Sequence, residues 1–140
     1  MLKYMYKILK YYYYKQYKFF LKINGKDDIP QFTAMLSVAQ NILFNLNAFY
    51  LIMASLILKP IIYFDSKDSA SSLKVFICLI SFVIPFYFIF IYKSKYLKIL
   101  DEFRTESNQK RINGNICVII YTICSLIFQV FGFIVLAYNK

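Results

Sequence analysis

The chain contains no histidine and no tryptophan, and only three cysteines, three glycines, three prolines and two arginines in 140 residues. Without histidine, and with Cys78, Cys117 and Cys124 spread along apolar stretches, the usual ligands of a zinc or haem site do not come together, so no metal and no cofactor is expected. The scarcity of glycine leaves no phosphate-cradling loop and no nucleophile elbow. The acidic residues Asp27, Asp28, Asp65, Asp68, Asp101, Glu102 and Glu106 all fall outside the long apolar runs, which removes an intramembrane proton relay or a voltage sensor. Asp101 and Glu102 are adjacent and diverge by about 100° on a helix, so a solvated face describes them better than an acid and base pair. These absences point to a protein that is not an enzyme.

Charge is also missing from three long stretches, residues 29–58, 75–92 and 112–139. At about 1.5 Å per residue each can cross a hydrocarbon core of roughly 30 Å, with Lys74 and Lys93 completing the shortest. Helices satisfy their own backbone hydrogen bonds inside a bilayer, so the expected fold is an all-α membrane protein with three spans, at about 33–58, 73–92 and 115–138. The composition, 60% hydrophobic and 21% aromatic, exceeds what a soluble core of this size requires, and the excess is assigned to lipid. Abundant Lys, Ile, Tyr, Phe and Asn beside two arginines is the bias of an AT-rich genome and argues for a bacterial source. The three cysteines lie within the spans and read as small packing residues; Cys117 and Cys124, two turns apart on one helix, are too distant for a disulfide.

Ahead of the spans, residues 1–24 carry Lys3, Lys7, Lys10, Lys15, Lys18 and Lys22 within an arc of about 140° on a helical wheel. Leu2, Met5, Ile8, Leu9, Tyr12, Phe19, Phe20 and Ile23 fill the opposite side. This is a basic amphipathic helix, expected to lie in the interface with its lysines among lipid headgroups and its apolar face toward the acyl chains. The lysines interrupt any signal-peptide core, so a retained amino terminus is expected. Asn24 to Asp28 reads as a turn with Gly25, and Pro30 suits the first turn of the next helix. Residues 30–140 then form the membrane domain. Lys59 and Pro60 stop the first span, and a hydrophilic loop follows it. Pro85 removes one hydrogen bond from the second span. The pattern in 93–110, with Tyr96, Ile99, Leu100 and Phe103 as an apolar stripe, reads as a continuation of that helix, and Asn113-Gly114 reads as a break before the third span.

Three spans place the amino segment and the 93–113 loop on one side, with seven and six lysines and arginines; the other side carries four. The positive-inside rule then puts the amino terminus in the cytoplasm and Lys140 outside an inner membrane. A net charge of +10 concentrated on the cytoplasmic side matches an anionic leaflet, and no nucleic-acid module accompanies it. The absence of an internal repeat argues against a transporter built from inverted halves.

Uncharged polar residues mark the helix contacts. Ser37, Gln40, Asn41, Asn45, Asn47 and Ser55 share a broad face of the first span, and Gly114, Tyr121, Ser125, Gln129 and Gly132 share one of the third. Cys78, Ser81 and Pro85 form a smaller one on the second. Such faces meet through close approach and interhelical hydrogen bonds of about 0.6–2 kcal/mol each. Helix rise puts Asn45 and Ser125 at about 16 Å depth, and Asn47 and Gln129 at about 20 Å, so the two pairs can bond across one seam. Two roles compete for these amides: glue within the bundle, or the lining of a wet lumen by Gln40, Asn41, Asn45 and Asn47 in a homo-oligomer, since three helices alone enclose no pore.

The run from Lys98 to Ser125, with Asp101-Glu102-Phe103, Glu106-Ser107, Lys110-Arg111, Gly114-Asn115 and Tyr121, resembles a group of short uncharacterised bacterial multi-span membrane proteins. That resemblance implies membrane residence and no particular activity. The leading expectation is a small homo-oligomeric, channel-like or membrane-perturbing effector of the inner membrane. The alternative is a non-enzymatic accessory or anchoring subunit that recruits a cytoplasmic partner through 93–110, and a small transporter ranks third.

Overall fold

The computed structural model describes residues 2–25, 29–56 and 69–138, and every regular element among them is helical. Helix α1 is Leu2–Asn24, α2 is Pro30–Leu56, α3 is Ser69–Phe90, α4 is Lys95–Glu102 and α5 is Asn108–Tyr138. Helices α2, α3 and α5 are long and apolar enough to cross a membrane, which makes this a multi-pass membrane protein. The stop at Lys59-Pro60 and the loop through Asp68 lie outside the described residues.

Helix α2 starts at Pro30, where a missing N–H costs nothing. It is the central element and packs along α5 and α1. Small residues set the α2–α5 distance. A Cβ added at Gly132 would stand 3.1 Å from the Ala48 Cα, so glycine there lets the two backbones close. Helix α3 touches the rest through its C-terminal half, where Phe86 and Phe90 are buried; from Leu73 to Ser81 every residue is exposed.

Four expectations about the fold are corrected. The 93–110 segment does not continue α3. Lys93 and Ser94 both adopt left-handed backbone (φ 54° at each), and a short 3-10 turn, Tyr92–Ser94, redirects the chain into α4. Left-handed backbone costs about 1–2 kcal/mol at each such residue. The turn brings Ile99 into the core and lays Tyr96, Leu100 and Phe103 against the buried cluster around α1, an apolar gain that a helix projecting into water would forgo. Lys95 also donates to the Phe88 carbonyl at 2.9 Å, capping the end of α3.

Asn113-Gly114 does not break the chain but sits inside α5, and Gly114 is buried. A Cβ at this position would come 1.8 Å from the Tyr11 hydroxyl oxygen. Glycine here serves close approach by α1 rather than a turn, and a glycine in either role looks identical in sequence. The cysteines, finally, are not packing residues: Cys78, Cys117 and Cys124 are free and exposed on the outer faces of α3 and α5. The small face of Cys78, Ser81 and Pro85 is not a buried helix contact among the described residues, since all three are exposed.

Candidate functional site

The amphipathic α1 does more than rest one face on an apolar surface. Tyr12, Tyr13, Tyr14, Lys15 and Gln16 are all buried. Five consecutive residues at 100° steps cover the whole circumference of a helix, so its middle is enclosed on every side. Ala34, Met35, Val38 and Ala39 of α2 and Phe90 of α3 share the cluster with its tyrosines, and Phe103, beyond α4, covers Tyr11 and Tyr14 at ring distances of 5.3 and 5.5 Å. Tyr13 stacks on Phe90 at 4.3 Å and 7°, and its hydroxyl donates to the Gln31 carbonyl at 3.1 Å. The Tyr12 hydroxyl joins Thr122 at 3.2 Å and receives the Gln16 amide at 3.1 Å. Tyrosine suits this boundary because its ring buries apolar area while its hydroxyl finds a partner.

At the centre of the clamp is a buried ion pair. Lys15 Nζ donates to Glu106 Oε2 at 2.7 Å, with side chains 4% and 7% exposed. Lys15 also donates to the Arg111 carbonyl at 3.2 Å, and the Tyr11 hydroxyl donates to Glu106 Oε1. Burial by itself would raise the Glu106 carboxyl. The bonds from Lys15 and Tyr11 and the charges of Lys15 and Arg111 outweigh it and hold the group below its usual value. Tyr11 is pushed far above the ordinary phenol range, first by burial and then by its bond to Glu106 and the charge on that carboxylate. The ammonium, carboxylate and phenol are thus each satisfied, which a buried charge requires.

The clamp redistributes the lysine row. Lys15 is committed to Glu106 and Lys10 to Glu102. Lys3, Lys7, Lys18 and Lys22 stay exposed, and on a wheel they lie within an arc of about 100°. Sequence reasoning missed the cluster because nothing local links Lys15 to a carboxylate 91 residues away.

The membrane seam gathers some of the marked amides and not others. Asn45 Nδ2 donates to the Tyr121 hydroxyl at 2.9 Å and to Ser125 Oγ at 3.1 Å, one hydrogen to each. Ser55 Oγ donates to the Val135 carbonyl at 3.2 Å further along the same seam. Asn41 is buried within the protomer and donates to the Ser37 carbonyl of its own helix at 2.9 Å, so it cannot face a lumen between copies. Asn47 and Gln129 are not paired. Asn47 precedes Ala48, the residue against Gly132, and is turned about 100° away from α5. The Gln129 Oε1 is buried with no partner among the described residues. Gln40 is exposed and Asn47 half-buried, and neither side chain has a hydrogen-bond partner among the described residues. A shallow groove of about 480 Å³ opens beside Asn45, walled by Tyr121, Cys124, Ser125, Phe128 and Phe131.

Comparison with protein families, curated proteins and solved structures finds no match to this chain.

Proposed function

We propose that the protein is a small, non-enzymatic, homo-oligomeric membrane protein of a bacterial inner membrane that acts as a channel-like or membrane-perturbing effector. Its amino terminus is cytoplasmic and its carboxyl terminus outside, following the thirteen-to-four bias of lysine and arginine across the spans. The observation that carries the reading is the pair of open amides. Gln40 and Asn47 lie within the apolar run of α2, on a protomer whose three spans leave the outer half of α3 bare. An unpartnered carboxamide in hydrocarbon is costly, and water in a lumen between copies, or a facing amide, removes that cost.

The four exposed lysines of α1 supply contact with anionic headgroups of the inner leaflet, at about 1 kcal/mol per lysine near the surface. Recruitment of a cytoplasmic partner by 93–110 is the less favoured reading, because the apolar stripe of α4 already packs on α1. The lumen assignment narrows to Gln40 and Asn47; Asn45 with Ser125, and Asn41, act as structural amides.

The test is conductance of the purified protein in a planar bilayer, set beside its oligomeric mass in nanodiscs. An oligomer that conducts, and loses conductance on joint Gln40→Leu and Asn47→Leu, is the expected result. A strict monomer that conducts nothing, even with candidate triggers added, refutes the proposal.

A further inference from the structure

The open face of α2 has a period. Leu36, Gln40, Leu43 and Asn47 follow spacings of four, three and four, the a/d pattern of a heptad with leucine at d and an amide at a. Leu36 and Gln40 are exposed, and Leu43 and Asn47 half-buried, so the protomer covers this stripe only in part. Position 54, the next a site after Asn47, is Ala54; it is buried in the protomer and closes the stretch. The face toward α5 is separate: Asn45 and Ala48 lie about 160° and 100° around the helix from Asn47.

Three features identify what covers the stripe. Lipid can bury leucine but neither donates to nor accepts from an amide in the hydrocarbon region. A carboxamide carries both donors and an acceptor, so it is complementary to another copy of itself. Copies of one chain insert with the same orientation, so their α2 helices run parallel, and equivalent residues meet at equal depth as a 3.5-residue repeat requires.

We infer that α2 is the self-association surface, packing against α2 of a second copy of this chain in a parallel contact through Leu36, Gln40, Leu43 and Asn47. The leucines supply apolar packing, and the amides at the a positions fix the register. This rests on the oligomeric part of the function proposed above and assigns it to one face of one helix.

Cysteine scanning tests it in the full-length protein, reconstituted in vesicles, with Cys78, Cys117 and Cys124 replaced by alanine. Single Gln40→Cys, Leu43→Cys and Asn47→Cys variants should form disulfide-linked dimers on mild oxidation at least tenfold faster than Leu46→Cys or Phe49→Cys. Those two control positions are also exposed, but they lie about 100° and 160° around the helix from Asn47. Cross-linking that is even across the five positions, or fastest at 46 and 49, overturns the inference. Restoring the native cysteines one at a time separates the two claims. Oligomers that cross-link through α3 or α5 and not through the stripe refute this surface and leave the oligomeric reading standing, whereas a monomer by mass that cross-links nowhere refutes both.

Discussion

Neutralising Glu106 should release α1 from the end of the bundle that Glu106 shares with the start of α5. In the Glu106→Gln variant Lys15 keeps its position, 4% exposed, and loses its counter-charge; the Arg111 carbonyl at 3.2 Å is its remaining bond. Breaking a buried ion pair by removing one member costs about 3–5 kcal/mol. The lower end applies here, because the carbonyl remains and the new amide can still accept from Tyr11. About 3 kcal/mol corresponds to roughly 150-fold in the opening equilibrium. Amide hydrogen exchange of residues 10–18 in nanodiscs at neutral pH reads that change directly, since exchange of a docked helix reports its opening. The Lys15→Met variant should accelerate exchange less, about tenfold, because Glu106 retains the Tyr11 hydroxyl and the nearby charge of Arg111. The double variant removes both charges and should return to within about tenfold of wild type, since an apolar replacement of a buried pair is close to neutral. Acceleration below threefold in Glu106→Gln, or a double variant as fast as that single one, would show that the tyrosines hold the helix without the ion pair.

Acid should act on the same clamp. The depressed Glu106 carboxyl contributes stability that is present above its unfolded value and lost as pH falls through the lower folded one, so the protection of α1 amides, taken relative to their intrinsic exchange rate at each pH, should stay flat from pH 7 to 5.5 and fall only below the ordinary carboxylate range. Gly114→Ala should have opposite effects on two helices: a methyl group 1.8 Å from the Tyr11 hydroxyl loosens α1, while the helix propensity gained, about 1 kcal/mol, slows exchange at the start of α5. Asn45→Leu removes two interhelical bonds and should lower resistance to denaturing detergent by about 1–3 kcal/mol, whereas Asn41→Leu, which loses a bond within its own helix, should cost less. A reporter fused after Lys140 should be active only if it matures outside the cytoplasm, and activity of a cytoplasmic reporter there would reverse the orientation argued from charge.

The existence of the spans was legible because the bilayer imposes a one-dimensional criterion, length without charge, and 29–58, 75–92 and 112–139 meet it whatever their neighbours do. The level of Asn45 and Ser125 was legible for a related reason: helix rise converts residue number into depth, and two spans entering from one side share a zero. Boundaries and partners were another matter. Gly114 carries the same residue type whether it ends a helix or admits a tyrosine beside one, and only the position of α1 decides between them. Lys93 and Ser94 give no local sign of left-handed backbone, because the packing of Ile99 and Phe103 on α1 compensates that turn from outside the turn itself. Periodicity correctly placed six lysines on one face of α1, yet it could not divide them into four that are exposed and two that are paired, since Glu102 and Glu106 arrive from the far end of the chain. Composition and depth were therefore decided by sequence, through the solvent that each segment must face. The enclosure of α1, the buried charge pair and the stripe of α2 left open were decided by tertiary structure, because each depends on which surfaces are used up when distant helices meet.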